Sequence, residues 1–134
     1  MTRKIVTVEM DDPLSLIKEI FERVPFHHLL VIDNGKLYGV ISDRDLFKSL
    51  SPQLGTVSET KKDLFCLNKK AHQIMSRKPI SLYDNDDIYQ AIDIFIKKSI
   101  SCIPIVDHTN KPIGVISWRD ILRAVADKRP KNNT

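Results

Sequence analysis

A mixed α/β (α+β) fold made of two β-α-β-β-α repeats is predicted for this chain by three observations. The segment Gly39-Val40-Ile41-Ser42-Asp43-Arg44-Asp45 recurs as Gly114-Val115-Ile116-Ser117-Trp118-Arg119-Asp120, with six of seven residues identical at an offset of 75. Just upstream, Leu29-Leu30-Val31-Ile32-Asp33 matches Ile103-Pro104-Ile105-Val106-Asp107 at an offset of 74, and the extra residue falls in the turn between the two matches, where insertions are tolerated. Further back, Asp12 pairs with Asp86, Leu14 with Ile88, Ile20 with Ile94 and Phe21 with Phe95, again at 74. Residues 1–50 and 75–126 are therefore read as repeats, 51–74 as a partly helical linker and 127–134 as a polar basic tail. A unit of about fifty residues is marginal alone, so the two repeats are expected to form one folding unit with one core.

The elements follow in order. Residues 4–8 and 78–82 are short and rich in β-branched side chains, which predicts strands. Asp12-Pro13 reads as an N-cap followed by proline in the first helical position, after which Leu14, Ile17, Ile20, Phe21 and Val24 recur at helical spacing. The second copy starts at Asp86-Asp87 and continues through Ile88, Ala91, Ile92 and Phe95. Apolar runs at 29–32 and 37–41, and again at 103–106 and 113–116, predict a hairpin in each repeat; short helices over about 43–50 and 118–126 close them. In the linker, Ser51-Pro52-Gln53-Leu54-Gly55-Thr56 reads as a break. From Glu59 to Ile74 the stripe Leu64, Leu67, Ala71, Ile74 predicts a helix, expected to pack on the second repeat or on a partner subunit.

Composition narrows the function. The 134 residues include 21 Lys and Arg against 17 Asp and Glu, a formal net charge of +4, with no continuous basic stripe interleaved with aromatics. That argues against a nucleic-acid surface and suits small anionic ligands. No apolar run approaches the ~18 residues of a membrane helix, and the N-terminus lacks a signal-peptide core, so a cytoplasmic protein is expected. Cys66 and Cys102 have neither disulfide-framework nor metal-ligand spacing. Asp84-Asn85-Asp86-Asp87 lacks the glycine and distal Glu of a calcium loop and reads as helix capping. Nothing resembles a nucleophile elbow or a metal-hydrolase cluster, so no catalytic and no metal site is expected.

The doubled turn carries the chemistry. Ser42 and Ser117 close strands, and Asp45 and Asp120 follow three residues later in the first turn of a helix. A carboxylate there can accept both vicinal hydroxyls of a ribose in charge-assisted hydrogen bonds. Backbone N–H groups at the helix start, the serine hydroxyls, and the forked donors of Arg44 and Arg119 suit a phosphate. Ser-x-x-Asp at a strand-to-helix junction is equally a capping motif. Gly39 and Gly114 let the backbone approach a neighbouring strand or ligand. Trp118, in place of Asp43, is open to three roles: stacking on a base, sealing a dimer, or core packing.

The doubled Gly-Val-Ile-Ser-x-Arg-Asp, the Ile74-Met75-Ser76-Arg77-Lys78-Pro79-Ile80 approach and the Ile103-Pro104-Ile105-Val106-Asp107 strand, in this order, resemble a tandem pair of cystathionine β-synthase-type (CBS) domains, a Bateman module. The resemblance implies two repeats packed with pseudo-two-fold symmetry, clefts at their junction and frequent pairing into a homodimer. It implies a regulatory, non-enzymatic role, sensing an adenosine nucleotide (AMP, ADP or ATP, with S-adenosylmethionine or NAD in second rank) and acting on an unknown effector protein. It further implies that His27 and His28 reach phosphates; Ser101 and Cys102 stand there in the second repeat, so two clefts would not be equivalent. Adenine would fall against Val6 and Ile80 of the first strands and Ile103 and Pro104 of the second. The competing expectation is a ligand-free scaffold for dimerisation or interaction with a partner protein.

Overall fold

The alternation along Lys36–Ser42 and the unbroken apolar run Leu29–Val31 are the patterns of a half-buried and a buried strand. In the computed structural model, which describes residues 3–128, they form the centre of the first of two units. That unit, Val6–Pro79, contains β1 (Thr7–Glu9), α1 (Leu14–Arg23), β2 (His28–Asp33), β3 (Lys36–Ser42), α2 (Asp43–Ser49), α3 (Lys61–Phe65), a 3-10 turn (Cys66–Asn68), α4 (Ala71–Ile74) and β4 (Ser76–Arg77). Its sheet runs β1-β2-β3-β4, with β1 parallel to β2 and the other pairs antiparallel. Asn34 (φ 52°) and Gly35 (φ 78°) turn the β2–β3 hairpin, two consecutive left-handed residues that match the twist of the strands they join.

The second unit joins the described residues of 1–5 to those of 80–134. It contains β5 (Leu82–Tyr83), α5 (Ile88–Lys97), β6 (Cys102–Val106), β7 (Pro112–Ser117) and α6 (Trp118–Lys128). Its sheet runs β5-β6-β7, parallel and then antiparallel. The register slips between Val31 and Ile32 in the first sheet and between Ile105 and Val106 in the second, equivalent places in the repeat. The internal duplication is therefore a duplication of structure in a mixed α+β fold. The part of the basic tail at 129–134 lies outside the described residues.

Two clusters of buried side chains lie one in each unit: Val8, Leu14, Ile17, Leu29, Val31, Ile41, Leu46 and Ala71 in the first, and Leu82, Ala91, Phe95, Ile103, Ile105, Ile116 and Ile121 in the second. Three differences from the sequence reading have physical causes. Pro13, not Asp12, is the N-cap of α1, and its carbonyl accepts from Leu16 and Ile17; Asp12 Oδ2 instead takes the Glu9 N–H at 2.7 Å. The first strands are short and late, Thr7–Glu9 and Leu82–Tyr83, because pairing with β2 and β6 and not propensity sets their extent.

The third concerns the linker, which packs on the first repeat. Leu14 N donates to Lys69 O at 2.7 Å, Ala71 N to Asp12 O at 2.9 Å and His72 N to Met10 O at 3.0 Å. These bonds break the expected single helix into α3, the 3-10 turn and α4, and they bury Ala71 while leaving Leu64 exposed.

Asp86 Oδ2 takes the Tyr83 N–H at 2.7 Å, the counterpart of Asp12 on Glu9, and Asp87 caps α5 by accepting from Tyr89 N at 3.0 Å. The acidic run 84–87 thus works in capping. Among the described residues no helix is long and apolar enough to cross a membrane, and no group of three His, Cys, Asp or Glu side chains could hold a metal ion.

Candidate functional site: the strand-to-helix turns

Each turn is built where an extended strand must hand its chain to a helix whose first N–H groups have no partner of their own. In the first repeat Asp45 N donates to Ser42 Oγ at 3.1 Å and Ser42 N to Asp45 Oδ2 at 2.8 Å, a reciprocal capping box. In the second, Asp120 N donates to Ser117 Oγ at 3.4 Å and Ser117 N to Asp120 Oδ2 at 2.9 Å. The carboxylates are half-buried and fixed by one oxygen. Among the described residues, the other oxygen, Oδ1, accepts no hydrogen bond in either turn. Capping and ligand binding are therefore compatible: one oxygen orients the group and the other remains available.

Other candidates are placed less evenly. Arg44 and Arg119 are exposed on the first turns of α2 and α6. His27 lies just before β2, exposed, with Nδ1 2.9 Å from Asp43 Oδ2, and this contact holds the Asp43 carboxyl below its ordinary value. His28 opens β2 half-buried, and burial lowers its pKa from 6.5 against the opposing pull of Asp43. Val6 is half-buried against the first cluster, its carbonyl accepting from Leu30 N at 3.1 Å. Ile80 lies outside the strands and is 37% exposed. Ile103 and Pro104 are fully buried in β6, with Ile103 inside the second cluster.

Trp118 packs against Phe95 in a tilted arrangement, ring centroids 4.9 Å apart and planes inclined by 32°. Gly39 explains itself: a Cβ there would overlap Met75 Sδ and lie 3.0 Å from the Ser76 carbonyl, so the close approach it permits is to the chain entering β4. Sequence reasoning missed one feature of the site. Lys48, Ser49, Lys69, Gln73 and Ile74 line, with Asp45, an open cavity of about 360 Å³ in the first unit. The helical spacing of 45, 48 and 49 was a usable signal, but nothing local announced that Lys69 and Gln73 fold back beside it.

The CBS domain family matches residues 1–52 and 71–127. The chain belongs to the CBS domain family, and it carries two copies. It is similar to protein MJ1225 of Methanocaldococcus jannaschii, at 29% identity and a TM-score of 0.81, covering 98% of this chain and 50% of that one. It shares its fold with the CBS domain pair of protein MJ0100, solved with 5'-methylthioadenosine and S-adenosyl-L-methionine (22% identity, TM-score 0.76, 96% and 94% covered). The same holds for CBSX2, solved with AMP (23% identity, TM-score 0.77, 96% and 95% covered). The chain spans less than half the length of the curated relatives MJ1232 and MJ1225 of the same archaeon, 39% and 49%.

Proposed function

We propose that this protein is a regulatory module that senses an adenosine-containing nucleotide of the AMP, ADP or ATP class through its strand-to-helix turns. The observation that carries the reading is the repeated capping box, in which Asp45 and Asp120 are each anchored by Oδ2 while Oδ1 has no hydrogen bond among the described residues. A ribose diol needs such a pre-oriented acceptor, and fixing it beforehand lowers the ordering cost of binding. The ligands solved with MJ0100 and CBSX2 all contain adenosine, which supports the same class here. Val6, Ile80, Ile103 and Pro104 are proposed for the adenine end, and Ser42, Arg44, His27, His28, Ser117 and Arg119 for the phosphate end.

Binding switches a module only if the ligand has unequal affinity for two arrangements. We assign that difference to association with a second copy and with an effector protein; S-adenosylmethionine and NAD are the second-rank ligands. A ligand-free scaffold is the other reading, favoured by the fact that capping alone already satisfies the Ser-x-x-Asp pairs.

Isothermal titration with AMP, ADP, ATP, S-adenosylmethionine and NAD decides between them, on wild type and on Asp45→Asn and Asp120→Asn. Asparagine can still accept the serine N–H but presents an NH2 where Oδ1 stood. Saturable heat that falls in one or both variants establishes the sensor. No heat with any ligand, from protein stripped of co-purified nucleotide, overturns the sensor and leaves the scaffold as the reading.

A further inference from the structure

The cavity beside α2 is lined by Asp45, whose carboxylate is fixed by the cap, and by two lysines, Lys48 and Lys69. It is an open depression of about 360 Å³. Asp45 and Lys48 project from successive turns of α2, and Lys69 is brought opposite by the Leu14–Lys69 backbone bond. Neither Lys48 nor Lys69 has a carboxylate within ion-pair distance among the described residues, whereas the adjacent Lys70 pairs with Asp11 at 3.7 Å and Lys18 pairs with Glu22. Gln73 Oε1 is occupied by the Lys70 N–H at 2.7 Å, so its NH2 remains as a donor. Ser49 Oγ donates to the Asp45 carbonyl at 3.0 Å and keeps its lone pairs. One wall, Ile74, is apolar.

Of the two histidines, His27 is already engaged by Asp43 through Nδ1, and burial favours the neutral form of His28.

We propose that this cavity receives the phosphate-bearing end of the nucleotide, Lys48 and Lys69 closing on the phosphate oxygens while Asp45 accepts the ribose hydroxyls. The first repeat then favours adenosine phosphates over uncharged adenosine. The assignment rests on the nucleotide-binding reading above and adds two residues to it, with the phosphate end as what they recognise. Two ammonium groups on flexible stems suit a phosphate chain whose position varies, where a rigid guanidinium fork would fix one oxygen pair.

The test is titration of adenosine, AMP, ATP and inorganic pyrophosphate into wild type and into Lys48→Gln/Lys69→Gln, each also in the Asp120→Asn background to isolate the first repeat. Circular dichroism melts verify folding; both lysines are exposed, so the double variant is expected to fold. ATP affinity should fall at least tenfold in the double variant while adenosine affinity stays within twofold, and pyrophosphate should compete with ATP on wild type only. Unchanged ATP affinity in the double variant, with loss in Asp45→Asn, overturns the cavity assignment and leaves the nucleotide reading standing. Pyrophosphate binding without any adenosine-containing ligand binding makes the cavity an inorganic-anion site and overturns both. No binding by any of the four probes also overturns both.

Discussion

Trp118 lies over Phe95 at 4.9 Å, in the position where the first repeat holds Asp43, whose carboxylate lies 2.9 Å from His27 Nδ1. One position of the duplicated turn thus carries an aromatic pair in one copy and a polar pair in the other. The two couplings differ in kind. Aromatic pairs contribute about 0.5–1.5 kcal/mol beyond area burial, whereas exposed charge pairs rarely exceed ~1 kcal/mol and often contribute nothing measurable.

Trp118→Leu should therefore cost about 1 kcal/mol in urea denaturation, and Asp43→Ala much less. Trp118 is the sole tryptophan, so the tryptophan fluorescence comes from the second unit. A fluorescence transition that does not coincide with the circular dichroism transition would show that the two units unfold separately.

Removing the serine half of each cap tests the capping boxes. Ser42→Ala and Ser117→Ala should each cost about 1 kcal/mol by chemical denaturation, the value of a lost N-cap. Ser42→Ala should cost the more, because Asp45 N lies 3.1 Å from its hydroxyl and Asp120 N lies 3.4 Å from Ser117.

Gly39→Ala places a methyl into Met75 and against the Ser76 carbonyl, and overpacking of this kind costs about 1–3 kcal/mol. Adding Met75→Ala removes the flexible obstacle but leaves the carbonyl at 3.0 Å, so the double variant should recover stability only in part. Full recovery would mean that β4 shifts away from β3 at little cost.

His28 makes stability depend on pH. Its folded pKa lies below 6.5, chiefly through burial, opposed by Asp43 and Asp45 and assisted by His27. The unfolded chain therefore takes up the proton first. The contribution is complete above pH 6.5 and is lost as pH falls from there through the lower folded value. Denaturation midpoints should drop between about pH 7 and pH 5 in wild type and fall less in His28→Gln.

The thiols should separate by reactivity. Burial pushes the Cys102 pKa up to about 12 at the start of β6, while Cys66 is half-buried in the 3-10 turn. A thiol reagent at pH 8 should label Cys66 in the native protein and reach Cys102 only on unfolding. Mass spectrometry of the native adduct reads this directly.

How much of this was legible beforehand depends on the range of the interaction. Repetition located both hairpins, both turns and α5 within a residue or two, because strand alternation and capping are local. Ser42 with Asp45 and Ser117 with Asp120 could be named from spacing alone. The docking of 66–74 onto α1 could not, since a stripe such as Leu64, Leu67, Ala71, Ile74 says which side chains want burial and not against what. Leu14 N to Lys69 O is a bond between backbone groups 55 residues apart, to which side-chain identity contributes almost nothing. The Lys48–Lys69 cavity depends on that bond and was invisible for the same reason.

β4 has a consequence for the history of the chain. Ser76 and Arg77 pair with Val40 and Gly39, yet they fall inside the second family match, which begins at residue 71. The seam of the ancestral duplication and the seam of folding are thus out of phase. A fragment ending at residue 50, a complete repeat by ancestry, would leave β3 with a naked edge open to strand exchange between molecules. One ending at residue 79 would keep its sheet closed on that side. Cut points for dissecting the protein should follow the second seam, not the first.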